Sequence, residues 1–210
     1  MNAQKVNDDS EFEPVRQTLR ERLREATSRE ILAAAEHVFA EMGLERASVA
    51  QIAERAGVAV GTLYNRFKDR ETLLEALLSE RRAELLDKVD VQIASLDGAS
   101  FREQLQGFFS VLFRHFEEHR AFLRWVFARE VGTREKREEM SRAVFERVEH
   151  LFELGRREQA LRADPEHALP VFLMAAAKGV LQREHYGLTA LAPERAAEAL
   201  VTLFLEGARP

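Results

Sequence analysis

The sequence predicts an all-α protein with an N-terminal helix-turn-helix three-helix domain and a C-terminal helical domain. Apolar residues recur at spacings of three and four along most of the chain, which is typical of amphipathic helices. Alternation with a period of two, the mark of a strand, is not evident, and helix-start and helix-stop signals separate the periodic segments. With 210 residues, 46% of them hydrophobic, the chain can bury a sizeable core.

The first predicted helices occupy the segment that precedes Gly43. Residues 1–13 are polar and acidic without a period and are expected to be disordered. Apolar residues at helical spacing predict one helix over 15–27 and a second over 28–42. Gly43 then stands where a C-cap glycine belongs.

Two short helices are predicted next, on either side of Gly57. Ser48 and Gln51 form a capping box that begins the first of them, and the second spans about 59–65. Gly57 permits the backbone angles that a tight turn needs. A small core is expected to fix the crossing angle of the two helices, made of Ile52, Val58 and Leu63.

Further helices follow from local start and stop signals. Asp97-Gly98 predicts a turn, Ser100 with Glu103 forms a second capping box, and Asp164-Pro165 pairs an N-cap with a proline at the first helical position. The chain should contain about nine or ten helices. Those after the helix-turn-helix are predicted at 69–91, 101–118, 120–130, 133–159, 165–186 and 193–205.

Composition narrows the classes of function. The absence of cysteine excludes disulfides, thiolate zinc sites and cysteine nucleophiles. A net charge of -5 argues against a protein that coats nucleic acid, but it is compatible with one that reads a short sequence. No apolar run is long enough to span a membrane and no signal peptide is evident, so we expect a cytoplasmic protein without a membrane partner.

The stretch from Arg29 to Leu78 resembles the N-terminal domain of the TetR family. Residues 48–67 read SVAQIAERAGVAVGTLYNRF and are followed by Glu71, Leu73 and Leu74. The resemblance implies three parts. They are a partly disordered extension over 1–27, a DNA-binding domain over 28–75 with its helix-turn-helix at 48–67, and a ligand-binding and dimerisation domain over 76–210.

The resemblance also implies contacts with DNA. Ser48 and Tyr64 would touch phosphates, Gly61 and Thr62 would lie against the groove, and Arg70 would keep the charge of a lysine common in the family. Ala59 stands where a serine is common, which removes one phosphate donor. The predicted DNA-binding residues are Ser48, Gly61, Thr62, Tyr64, Asn65, Arg66, Lys68 and Arg70. Five arginines within 16–29 could add contacts along phosphates, or could form a solvated helix face.

Aromatic residues concentrate in the C-terminal half. They either fill an ordinary helical core or line the cavity for an apolar or amphipathic effector. The resemblance favours the cavity. The predicted lining residues are Phe109, Phe113, Trp125, Phe145, Phe152 and Phe172.

Small residues on the last two predicted helices allow close helix packing. This packing is either intramolecular only or, as the resemblance implies, a four-helix interface of a homodimer. A two-fold dimer would read a palindromic DNA site. The predicted interface residues are Phe172, Ala176, Gly179, Val180, Leu200, Leu203 and Phe204.

The run from His115 to His119 matches the inverted zincin pattern H-x-x-E-H. A catalytic zinc needs a third ligand, and no feature of the sequence nominates one. The sequence therefore favours a solvated helix end and predicts neither a metal nor a cofactor.

These observations predict a sequence-specific DNA-binding transcriptional regulator, in particular a repressor that a small apolar or amphipathic ligand releases from its operator. Its partners would be a double-stranded DNA operator, the effector and a second copy of the chain. We do not expect an enzyme. Two alternatives stay open: a metal hydrolase that uses the histidine–glutamate run, and an interaction module whose helix-turn-helix binds no DNA.

Overall fold

The computed structural model describes residues 18–129, 131–163, 168–182 and 191–208. Within these ranges the chain forms nine α-helices and no strand, which confirms the predicted all-α class. The predicted disorder of 1–13 and the Asp164-Pro165 helix start lie outside the described residues. The helices are α1 (Leu19–Met42), α2 (Val49–Arg55), α3 (Val60–Tyr64), α4 (Arg70–Ser95), α5 (Phe101–Glu118), α6 (Arg120–Arg129), α7 (Arg134–Arg157), α8 (Ala168–Leu181) and α9 (Pro193–Ala208).

Local capping boxes set the starts of α2 and α5, as predicted. The Ser48 hydroxyl accepts a hydrogen bond from the Gln51 amide at 3.3 Å, while the Ser48 amide donates to the Gln51 side chain at 2.9 Å. Ser100 and Glu103 make the same reciprocal pair at the start of α5. These bonds satisfy amides that have no partner within the helix. None of the described helices combines the length and hydropathy that a membrane crossing requires.

The first helix differs from the prediction, because the separate helices expected over 15–27 and 28–42 form the single helix α1. It follows the N-capping residue Thr18 and ends before the C-capping residue Gly43, whose φ is 80°. The hydroxyls of Thr27 and Ser28 bond back to the carbonyls of Leu23 and Arg24, at 2.9 and 3.0 Å. These polar residues therefore sit within the helix without interrupting it.

An N-terminal core joins α1, α2 and α3 with the first half of α4. We define this core by its fully buried members Ile31, Phe39, Ile52 and Leu63. It confirms that Ile52 and Leu63 hold the two short helices together. Phe122 and Leu123 of α6 belong to the same core, so it extends beyond residue 75, where the sequence suggested a domain boundary.

A C-terminal core contains the remaining buried side chains of α4, α5, α7, α8 and α9. Helix α5 packs most extensively on α9 and next on α4. Helix α4 runs through both cores, with Leu77 buried in the first and Leu85 in the second. Phe116 packs against both cores, so the two form one continuous body.

Candidate nucleic-acid interface

Helix α3 presents one buried side and one open side. Leu63 is fully buried in the N-terminal core, whereas Tyr64 is 49% exposed and Gly61 is exposed. A Cβ atom added to Gly61 would meet no atom of the described residues within 4 Å. Because none of these residues covers this stretch of helix, a groove of matching shape can approach its backbone closely.

Most of the polar residues predicted to bind DNA surround this open side. Ser48, Asn65 and Lys68 are exposed, and Thr62 and Arg66 are half-buried. The hydroxyl of Ser48 donates to Gln51 at 2.8 Å, so the capping box holds it in place at the start of α2. These groups supply both hydrogen bonds and positive charge, the two requirements for binding phosphates and base edges.

Arg70, of the predicted set, also contacts the N-terminal core. Its guanidinium carbon lies 5.7 Å from the centroid of the Phe39 ring, and its Nε atom is buried without a hydrogen-bond partner among the described residues. One terminal nitrogen lies 4.0 Å from the carboxylate of Glu71. Arg70 thus makes a cation–π contact with the N-terminal core, while its side chain stays partly exposed, as those of Thr62 and Arg66 do.

An open cleft of about 470 Å³ lies between the start of α1 and Arg66. Three guanidinium groups and two carboxylates line it, together with Ser28 and Leu32. The charged residues are Glu21, Arg24, Glu25, Arg29 and Arg66. The arginine-bearing segment therefore lies beside a residue of the candidate interface, which the sequence alone could not establish. Its contact with DNA stays a prediction.

The six aromatics expected to line an effector cavity do not all come together, although three of them share the C-terminal core. Phe109, Phe113 and Phe152 are buried in the C-terminal core, and Phe145 is half-buried on α7. Phe172 is 63% exposed on α8, so in the single chain it lines no enclosed space.

Trp125 lies outside the C-terminal core that holds Phe109, Phe113 and Phe152. It packs against the N-terminal core, because α6 buries Phe122 and Leu123 against α1 and carries the indole with them. Neither the cleft beside Arg66 nor a second cleft between α4 and α5 is lined by any of the six aromatics.

The residues expected at a dimer interface divide into two groups. Leu200 is buried in the C-terminal core, and the Phe204 ring lies 5.8 Å from that of Phe152, so both serve the chain's own packing. By contrast, Phe172 and Leu203 are 63% and 74% exposed, and Ala176 is exposed. Gly179 and Val180 are intermediate. Val171, which the sequence did not single out, adds to this apolar surface at 53% exposure.

The histidine–glutamate run is only in part the solvated helix end that the sequence favoured, since Glu117 and Glu118 are exposed but His115 is buried. His115 is only 3% exposed, because its ring lies on the side of α5 that faces α4 and the core. Burial lowers the pKa of His115 to about 4, and the nearby charge of His119 acts in the same direction. The imidazole of His115 is therefore neutral at neutral pH.

Glu84 of α4 faces the same run. Burial raises the pKa of Glu84, but the hydrogen bond from Lys88 and the positive charges of Arg81 and Lys88 outweigh it and hold the pKa at about 2. The sequence carried no signal for this carboxylate, since it comes from a different helix.

The N-terminal region of the chain is similar to that of known bacterial regulators. A family model for bacterial regulatory proteins of the tetR family matches residues 31–77. The chain is 34% identical over 87 residues to the fatty acid metabolism regulator protein of Bacillus subtilis, covering 41% of this chain and 42% of that protein. It is 36% identical over 78 residues to the transcriptional regulator BetI of Klebsiella pneumoniae, covering 37% and 40%. These matches span about two fifths of each relative.

The fold extends the likeness beyond the N-terminal region. The transcriptional regulator FadR of Bacillus subtilis, solved in complex with stearoyl-CoA, superposes with a TM-score of 0.72 at 20% identity. That comparison covers 86% of this chain and 99% of the other. Residues 31–77 therefore match the tetR family of bacterial regulatory proteins, and the solved structure shows that the described chain shares its overall fold.

Proposed function

We propose that the protein is a sequence-specific DNA-binding transcriptional regulator, and that it is a repressor released from its operator by a small apolar or amphipathic ligand. The observation that carries the proposal is the open side of α3. An unobstructed Gly61 and an exposed Tyr64 lie among polar and cationic residues, within the segment that matches the family model. This combination suits insertion of a helix into the major groove.

The proposed effector is of the acyl-CoA class. The similar FadR of Bacillus subtilis was solved with stearoyl-CoA, which is amphipathic. In this chain the C-terminal core is rich in phenylalanine, including Phe108, Phe109 and Phe152, and apolar surroundings of this kind suit an acyl chain. The ligand needs only to bind the DNA-free conformation better than the DNA-bound one.

The operator is proposed to be palindromic and the regulator a homodimer. The exposed apolar surface of α8 and α9, which includes Phe172 and Leu203, supports an interface between two copies. Two copies related by a two-fold axis would present two α3 helices to successive turns of a duplex.

The decisive experiment is selection of bound duplexes from a random DNA pool by the purified full chain at moderate salt. We expect enrichment of one palindromic or near-palindromic sequence. Stearoyl-CoA added to the selected complex should then weaken DNA binding, and the DNA should weaken stearoyl-CoA binding by the same factor. Absence of any enriched sequence would contradict the regulator proposal. Enrichment without an effect of stearoyl-CoA would contradict only the effector class.

A further inference from the structure

Four side chains with metal-binding atoms converge where α4 meets the end of α5. Glu84 comes from α4, His115 and Glu118 from α5, and His119 caps α5. One ring nitrogen from each histidine and one carboxylate oxygen from each glutamate all lie within 4.8 Å of one another. The two imidazole rings are 4.7 Å apart, centroid to centroid.

Each histidine of the cluster carries a buried ring nitrogen that makes no hydrogen bond to the described residues. The Nδ1 atom of His115 is buried and has no hydrogen-bond partner among the described residues, and the same is true of Nε2 of His119. The Nε2 atom of His119 lies 3.4 Å from a carboxylate oxygen of Glu84, and its Nδ1 atom lies 2.6 Å from Glu36 of α1. A carboxylate on the far nitrogen is the arrangement that orients a histidine toward a metal ion.

The two carboxylates already converge on a cation. The ammonium group of Lys88 lies 2.8 Å from Glu84 and 2.8 Å from Glu118. Lys88, His115 and Glu118 also line an open cleft of about 360 Å³ between α4 and α5. The cleft gives an ion a path from solvent, and Lys88 is the internal competitor that the ion must displace.

We propose that Glu84, His115, Glu118 and His119 form a binding site for a divalent transition-metal ion of the zinc class. Two imidazole nitrogens and two carboxylate oxygens suit a four-coordinate Zn²⁺ ion, whereas Mg²⁺ prefers oxygen ligands alone. With bonds of about 2.1 Å, tetrahedral ligand atoms lie about 3.4 Å apart, so binding draws the four groups together.

Such an ion would link three helices near the junction of the two cores. Glu84 lies on α4, which runs through both cores, and His119 is joined through Glu36 to α1. This site does not depend on the proposed DNA-binding function.

The test is titration of the full chain with Zn²⁺ by calorimetry and with Co²⁺ by visible absorption, with Mg²⁺ as the control ion. We expect one Zn²⁺ per chain, a tetrahedral Co²⁺ spectrum and no comparable Mg²⁺ binding. Zinc should also raise the unfolding temperature, since the ion binds only the folded chain. Absence of saturable Zn²⁺ binding, or Mg²⁺ binding of equal strength, would overturn the proposal.

Variants of exposed side chains separate a metal site from an ordinary ion-pair network. Glu118→Gln should weaken Zn²⁺ binding by about tenfold or more, whereas Glu117→Gln, a neighbouring carboxylate outside the cluster, should not. Lys88→Gln should tighten Zn²⁺ binding because it removes the competing ammonium group. Thermal unfolding without metal checks that each variant folds. Equal Zn²⁺ binding by Glu118→Gln and Glu117→Gln would contradict the proposed site. So would a Lys88→Gln variant that binds Zn²⁺ no more tightly than the parent.

Discussion

The indole ring of Trp125 lies against Gly43, with its Cζ2 atom 3.3 Å from the position that a Cβ at residue 43 would occupy. Gly43 also has a φ of 80°, a backbone conformation that residues with a Cβ atom rarely adopt. Gly43→Ala should therefore destabilise the protein by about 1–3 kcal/mol and shift the tryptophan emission. Gly98→Ala is the matched control, since Gly98 has a φ of 77° but no atom near its added Cβ. An unchanged emission in Gly43→Ala would contradict the contact.

The open side of α3 makes a prediction about DNA affinity. Gly61→Leu should leave the unfolding temperature nearly unchanged, because no atom in the described part of the chain lies within 4 Å of the added Cβ, but it should abolish operator binding. Tyr64→Ala should weaken binding to all sequences, whereas Thr62→Ala should alter preference at particular bases. Fluorescence anisotropy with the selected operator and with an unrelated duplex measures both effects. Operator binding that survives Gly61→Leu would exclude α3 from the interface.

The arginines beside Arg66 predict a change in salt dependence. Arg24→Gln with Arg29→Gln should flatten the plot of log affinity against log salt, by about 0.9 for each phosphate that the variant no longer neutralises. Arg157→Gln, an exposed arginine on α7, serves as the charge control. If the variant with Arg24→Gln and Arg29→Gln keeps the parent slope, the arginines of α1 form a solvated face.

The exposed surface of α8 and α9 predicts the oligomeric state. Ala176→Arg should convert dimers to monomers, because a long cation would stand in the middle of an apolar interface. Light scattering measures the mass directly. Val91→Arg replaces another exposed apolar residue, 63% exposed on α4, and should leave the dimer intact. Persistence of the dimer in Ala176→Arg would move the interface elsewhere.

The ion pair between α4 and α7 predicts a pH effect on stability. Arg147 donates to both carboxylate oxygens of Asp90, at 2.7 and 2.6 Å, and these hydrogen bonds lower the pKa of Asp90. The stabilisation is complete above the ordinary pKa of aspartate and is lost as the pH falls through the lowered value.

The corresponding variant is Asp90→Asn. Its free energy of unfolding should fall by about 0.2–1 kcal/mol at pH 7, and the difference from the parent should vanish in strong acid. Denaturant unfolding across this pH range measures the effect, with Asp87→Asn as the control for an exposed carboxylate on the same helix. A difference that stays constant with pH would rule out the ion pair as its cause.

Helix starts were predictable because their signals are local. The capping boxes at Ser48 and Ser100 each join residues three apart, and both are present. The continuity of α1 was not predicted, because the hydrogen bonds of the Thr27 and Ser28 hydroxyls to carbonyls one turn earlier are known only from the structure.

Tertiary contacts limited the prediction of sites. The family motif marks the helix-turn-helix, but Arg70 lies over Phe39 and Trp125 lies against Gly43 because distant segments pack together. The run from His115 to His119 was visible in the sequence. Its companion Glu84 was not, because only the packing of α4 on α5 brings that carboxylate near.

The passage of α4 through both cores constrains how homologous chains can vary in length. Leu78 is buried in the N-terminal core and Leu85 in the C-terminal core, with unbroken helix between them. An insertion of one residue there would rotate one core relative to the other by about 100° and displace it by about 1.5 Å. Only insertions close to whole turns would keep both buried faces aligned. This part of the gene should therefore tolerate substitutions much better than insertions or deletions.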